Sequence, residues 1–294
     1  MFTKLKNDNL VVLGGLIPLD GRVSWVPAGS TGFQPSNCYL LSERGAAALA
    51  LGSAAGDSHL LIDSGVALHA QQILDDLAAL IGEGGALSVF FTRAEMDCVS
   101  NLEPIARSFD IQRLFTGGVI NPFDAFEDLN LMALRGRRHQ IDAMRSGEGD
   151  SLARAASIDI GPSRVLEIEA PLLRLLMTFW GWDAETGTLF TSDTFTHGTM
   201  QRPEDARIID STVEDTTTPE QVAGHLFAKY EWLPRATCEP LREWLAAKFD
   251  ELDPEIIAPS RGCVLRGRDV VRRHLDYMLT ALTPQHAGLV RQGA

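Results

Sequence analysis

The chain has 294 residues, 45% of them hydrophobic and 22% charged, and 39 acidic against 26 basic side chains leave a net charge of −13 at pH 7. That apolar content is too high for a disordered chain, and 26 glycines and 14 prolines without a period exclude collagen-like or low-complexity structure. The acidic balance argues against a nucleic-acid binder, which needs a phosphate-neutralising surface, and no apolar run reaches the ~18 residues of a membrane span.

In chain order, residues 10–19 (LVVLGGLIPL) have the apolarity of a signal-peptide core, but Asp20 and Gly21 follow with no small-residue cleavage pattern, so the stretch reads as a strand and turn. Residues 23–27, 37–42 and 46–51 are strand candidates, and 59–63 is a short apolar strand running into the loop Asp63-Ser64-Gly65. Apolar residues at helical spacing (Val66, Ile73, Leu74, Leu77, Leu80, Ile81) predict a helix over 66–82. A buried strand at 87–92, a polar loop, a helix over 99–108 and a strand at 112–115 follow. The segment 119–150 has no clear period, and its basic cluster at 135–138 (RGRR) reads as a solvated loop. Further strands are expected at 164–170, 173–180, 187–192 and 255–258, with helices at 219–231, 237–252 and 267–282. Strands and helices interleave in both halves of what reads as a single domain over 1–294. The class is α/β, either as two βα halves in a four-layer αββα sandwich or as an ordinary α/β protein.

Chemistry in such folds gathers in loops that leave strand ends. Four loops qualify: 63–65 (DSG), 92–98 (TRAEMDC), 191–193 (TSD) and 259–263 (PSRGC). Hydrolase-elbow, dinucleotide and P-loop patterns are absent. The four cysteines, Cys38, Cys98, Cys238 and Cys263, form no CxxC pair, which fits a reduced cytoplasmic protein. Among the histidines, His197 follows Asp193 by four residues and is a candidate proton donor at a pocket mouth, although a surface position is the commoner one for such a residue. His69 and His225 fall in helical stretches, and neither HExxH nor HxH occurs.

Taken together, the loops resemble the metallo-β-lactamase superfamily, and more narrowly the oxygen-binding di-iron domain of flavodiiron proteins. The resemblance covers residues 35–282. A strand ending in Leu61-Ile62-Asp63-Ser64-Gly65 matches the family's LIDTG. The family's H-x-E-x-D-H aligns with Arg93-Ala94-Glu95-Met96-Asp97-Cys98, and the His after its AP segment aligns with Arg174, downstream of Ala170-Pro171. Its bridging Asp aligns with Asp193 in Leu189-Phe190-Thr191-Ser192-Asp193, and the His of its APSHG aligns with Arg261 in Ala258-Pro259-Ser260-Arg261-Gly262.

On this resemblance the family's three carboxylates are retained as Glu95, Asp97 and Asp193. Each ligand histidine is replaced: three by arginine (Arg93, Arg174, Arg261) and one by Cys98. Guanidinium has no lone pair for a metal and stays charged near neutral pH. The family's di-iron site therefore does not assemble from these residues. Three arginines can instead neutralise three acids through paired hydrogen bonds, which gives a metal-free pocket with no cofactor. A second reading keeps one iron, manganese or zinc ion on Glu95, Asp97, Cys98 and Asp193. A third makes Arg93, Arg174 and Arg261 an anchor for a small anionic ligand. The expected role is binding, sensing or scaffolding. The enzymatic alternative uses Glu95, Asp97, Asp193 and His197 in acid–base chemistry on a small molecule. The resemblance also implies a homodimer, and the chain shows no flavodoxin domain.

Overall fold

A computed structural model describes residues 2–7, 9–21, 23–43, 56–82, 85–116, 138–140, 156–175 and 177–283. The chain divides into two compact units: residues 1–15 with 36–186, and residues 16–35 with 187–294.

In the first unit, strands β1 (Thr3–Lys6), β2 (Leu10–Pro18), β3 (Phe33–Glu43), β4 (Ser58–Ile62), β5 (Ala86–Phe90), β6 (Ile111–Thr116) and β7 (Arg138–Gln140) lie in that order across a sheet. β3 and β4 are antiparallel, and β4 to β7 run parallel. Of these, β4 and β5 read as near-continuous apolar runs because they are buried on both faces. One cover is helix α1 (Ala70–Ile81), which turns Ile73, Leu77 and Ile81 inward at a spacing of four. Short helices α2 (Met96–Val99) and α3 (Leu102–Ser108) follow β5. Leu40, Leu61, Val89 and Leu114 from the sheet pack with Ile73, Leu77, Leu102 and Ile105 from the helices in one apolar cluster.

The antiparallel strands β8 (Ala156–Asp159), β9 (Val165–Glu169) and β10 (Trp180–Asp183) complete the first unit. A buried clasp fixes them to the first sheet. Arg164 donates to Asp183 (2.6 and 3.0 Å) and to the carbonyls of Asn9 (3.0 Å) and Ser42 (2.8 Å).

The second unit holds β11 (Thr188–Ser192) parallel to β13 (Ile256–Pro259), with β14 (Val264–Arg266) antiparallel to β13 and parallel to β12 (Ile208–Ile209). Its helices are α4 (Pro219–Lys229), α5 (Glu239–Leu252) and α6 (Arg268–Ala281). Thr218 caps α4 by accepting from the Gln221 N–H (3.2 Å), and Pro219 takes the first turn, where no donor is needed.

Two expected strands do not form. Residues 23–27 make turns and bends, where Pro27 interrupts the apolar pattern, and the strand expected over 173–180 begins only at Trp180. In the latter stretch Leu172 and Leu175 are exposed while Leu173 is buried, so its apolar run is not a sheet face. The expected strand at 46–51 lies outside the described residues.

Candidate functional site

The loops at the strand ends are held in constrained conformations. Asp63 follows β4 with φ 57°, and Ser192 ends β11 with φ 53°. Both are in the left-handed region that non-glycine residues seldom enter. The Asp63 carboxylate accepts from the Thr92 N–H (2.8 Å) and the Thr92 hydroxyl (2.8 Å), which ties the loop after β4 to the loop after β5. Burial raises the Asp63 pKa to about 6, against the pull of Arg93 and the Thr92 hydrogen bonds.

Arg93 leaves β5 and turns inward. Its side chain is fully buried, its Nε donates to Glu95 Oε2 (2.7 Å), and its Nη2 donates to Asp97 Oδ2. Residues 93, 95 and 97 meet because α2 starts between them: Glu95 occupies the N-cap position and Asp97 the first turn. One guanidinium therefore faces two carboxylates, the fork geometry that favours arginine over lysine.

Cys98 is buried on the same turn, with its thiol 3.8 Å from the Thr92 hydroxyl. Burial pushes its pKa well above the usual thiol range, so it stays protonated at neutral pH. Its carbonyl accepts from both the Ser64 N–H (2.6 Å) and the Ser64 hydroxyl (2.7 Å). Cys38 joins the apolar cluster of the first unit. Arg174 is partly exposed and donates to the Pro171 carbonyl, and among the described residues no carboxylate pairs with it.

In the second unit Asp193 follows Ser192 and is 2% exposed. Its counter-charge is a lysine that the sequence did not single out. Lys229 Nζ, at the end of α4, lies 2.7 Å from Asp193 Oδ2, and the Tyr230 hydroxyl donates to Oδ1 at 3.4 Å. Arg261 is buried, with its guanidinium 4.3 Å above the Trp25 ring. Trp25 is fixed by donating to Gln34 (2.8 Å), whose amide donates to the Thr196 carbonyl (2.8 Å). The Ser260 N–H (2.7 Å) and hydroxyl (2.9 Å) both donate to the Ser192 carbonyl and hold the 260–262 loop beside the Asp193 turn. Gly262 has φ +91°, and a Cβ there would stand 2.9 Å from the Thr196 carbonyl oxygen.

His197 is also buried, not at the surface. Its Nε2 is 2.7 Å from His274 Nδ1, and His274 Nε2 is 3.1 Å from Asp215 Oδ2. Burial first, then the neighbouring imidazoles, lowers the His197 pKa well below its usual value. A void of about 10 Å³, one water in size, is lined by Asp193, His197, His225, Lys229 and Tyr230. This imidazole chain joins residues 59 and 77 positions apart, and sequence spacing carried no signal for it.

Among the described residues no three His, Cys, Asp or Glu side chains are grouped to hold a metal ion. The donor set around Glu95 and Asp97 does not fit one either. Their nearest neighbour is a donor-only guanidinium, and the adjacent sulfur is a protonated thiol.

No family model matches the chain, and no curated protein matches it. Solved structures do. Rubredoxin oxygen:oxidoreductase from Desulfovibrio gigas superposes with a TM-score of 0.64 at 15% identity, over 95% of this chain and 61% of that one. A flavoprotein from Thermotoga maritima gives 0.62 at 14% identity, over 95% and 60%. The chain has the metallo-β-lactamase-like fold of the flavodiiron structures. It spans about three fifths of the length of those two proteins. Two shorter structures with this fold are matched almost end to end. A diflavin flavoprotein fragment from Nostoc sp. is covered over 98% of its length (TM-score 0.62, 14% identity), and a chemotaxis sensor, ODP, described as a peroxy diiron species, over 93% (0.57, 13%). No helix among the described residues is long and apolar enough to cross a membrane.

Proposed function

We propose that this chain is a non-redox binding or sensing protein built on the flavodiiron fold, with side-chain cations standing where the family's metals would. One observation carries this reading: the buried Arg93 guanidinium is bonded to both Glu95 and Asp97. Lys229 on Asp193 supports it from the second unit. Of the three arginines expected against the acids, Arg93 holds that position, and Lys229 supplies a cation that the sequence did not single out. The guanidinium chemistry of Arg174 and Arg261 suits a small anionic ligand such as a carboxylate or phosphate. A catalytic use of Glu95, Asp97 and Asp193 would need them open to substrate, whereas ion pairing holds all three. We carry the cytoplasmic location and the homodimer as part of this proposal.

Metal analysis of protein purified without chelator tests the reading. Iron, manganese and zinc well below one per chain are expected. Near-stoichiometric metal that is lost in Cys98→Ser would establish the single-ion alternative instead.

A further inference from the structure

Hydrogen bonds in the second unit fix which nitrogen of each paired imidazole carries a proton. Asp215 is ionised at neutral pH. Burial alone would raise its pKa, but the Thr217 hydroxyl and N–H and the neighbouring His274 hold it below the usual carboxylate value. A carboxylate only accepts, so His274 carries its proton on Nε2, 3.1 Å from Asp215 Oδ2. His274 Nδ1 is then an acceptor, and the proton in its 2.7 Å contact belongs to His197 Nε2. His197 is left with a bare Nδ1. The two ring planes are within 10° of parallel. A contact of 2.7 Å is too short for stacked faces, so the rings meet edge to edge and the bond lies in their planes.

Charged and titratable groups approach this pair from several elements. On α6, which carries His274, Arg273 is 3.6 Å from Asp215 and the Tyr277 ring is 5.8 Å from that of His274. From α4 and the residue that caps it, His225, Lys229 and Tyr230 line the one-water void together with His197 and Asp193. Two residues of that lining have a buried atom with no hydrogen-bond partner, His225 Nδ1 and Thr194 Oγ1. Buried polar atoms are seldom left so, and one water in the void satisfies both. Burial lowers the His274 pKa while Asp215 pulls it back up. On His197, burial, His274 and His225 all act downward. A proton added to the pair is therefore held at His274.

We propose that Asp215, His274 and His197 form a proton-accepting relay for the pocket beside Asp193. An excess proton on the water of the void passes to His197 Nδ1 and leaves that water neutral. The His197 Nε2 proton crosses to His274 Nδ1, and the positive charge rests on His274 against Asp215. His197, expected from the sequence to donate a proton, is thus wired to accept one. His274 and Asp215 are positioning residues, and the relay stands apart from the Arg93 site.

Nitrogen-15 NMR of the histidine-labelled full chain reads the tautomers directly. At about pH 8, above the histidine range, both His197 and His274 should be in the Nε2–H form. On acidification His274 should become doubly protonated while His197 changes to the neutral Nδ1–H form, with one shared midpoint. Asp215→Asn should lower that midpoint by about one pH unit or more, a tenfold weaker hold on the proton. An Nδ1–H tautomer of His197 at the higher pH, a doubly protonated His197, separate midpoints or an unmoved midpoint in Asp215→Asn would each overturn the relay. So would a His274 that stays neutral until the chain unfolds.

Discussion

Arg93 shows at the scale of one residue why a charge inside a protein must be judged with its partners. Removing it strands Asp97, whose side chain is 9% exposed, without its cation. Arg93→Met should cost about 3–5 kcal/mol, read from urea unfolding. Adding Asp97→Leu should recover much of that loss, because replacing both partners removes the uncompensated charge. Thiol chemistry gives a second check at this scale. Cys38, Cys98 and Cys263 are buried and Cys238 is partly exposed, so one thiol per native chain should react with an aromatic disulfide and all four after denaturation. The Arg93 pairing was legible in the sequence because residues 93, 95 and 97 are neighbours in the chain. Lys229 on Asp193 was not, because 36 residues separate the partners and no local pattern marks them.

At the scale of the element, legibility followed burial. The strands β4, β5, β11 and β13 and the helices α1, α4, α5 and α6 were readable because each buries a long apolar run or stripe. β1, β12 and β14 were not: the first carries two lysines in four residues, and the others have two and three residues. Such strands exist through their partners. The strand-end loops add a different constraint, because their shape rests on left-handed backbone. Gly262→Ala forces a Cβ toward the Thr196 carbonyl at φ +91°. It should cost at least about 1 kcal/mol, visible as a lowered melting temperature.

For the whole molecule, stability should depend on pH through buried imidazoles. His225 falls from 6.5 to about 4 on folding, and His197 and His274 are lowered too, in each case chiefly by burial. Below pH 6.5 the unfolded chain binds more protons, so stability falls as pH drops from there, by about 3 kcal/mol for His225 alone. Asp63 acts in the opposite sense. Raised from 3.8 to about 6, it contributes stability below 3.8 that is lost as pH rises to about 6. Three imidazoles outweigh one carboxyl, so the net expectation is acid destabilisation. Asp63→Asn should steepen it between about pH 4 and 6, as measured by urea midpoints across that range.

A metal ion bound in a protein obeys mass action: its stabilisation grows with free ion concentration and vanishes under a chelator. The guanidinium of Arg93 is held by a covalent tether, so its occupancy is complete at any dilution. The loops between β5 and α2 should therefore be equally ordered in metal-starved and metal-rich surroundings. These loops would keep one shape whatever the iron supply or redox poise.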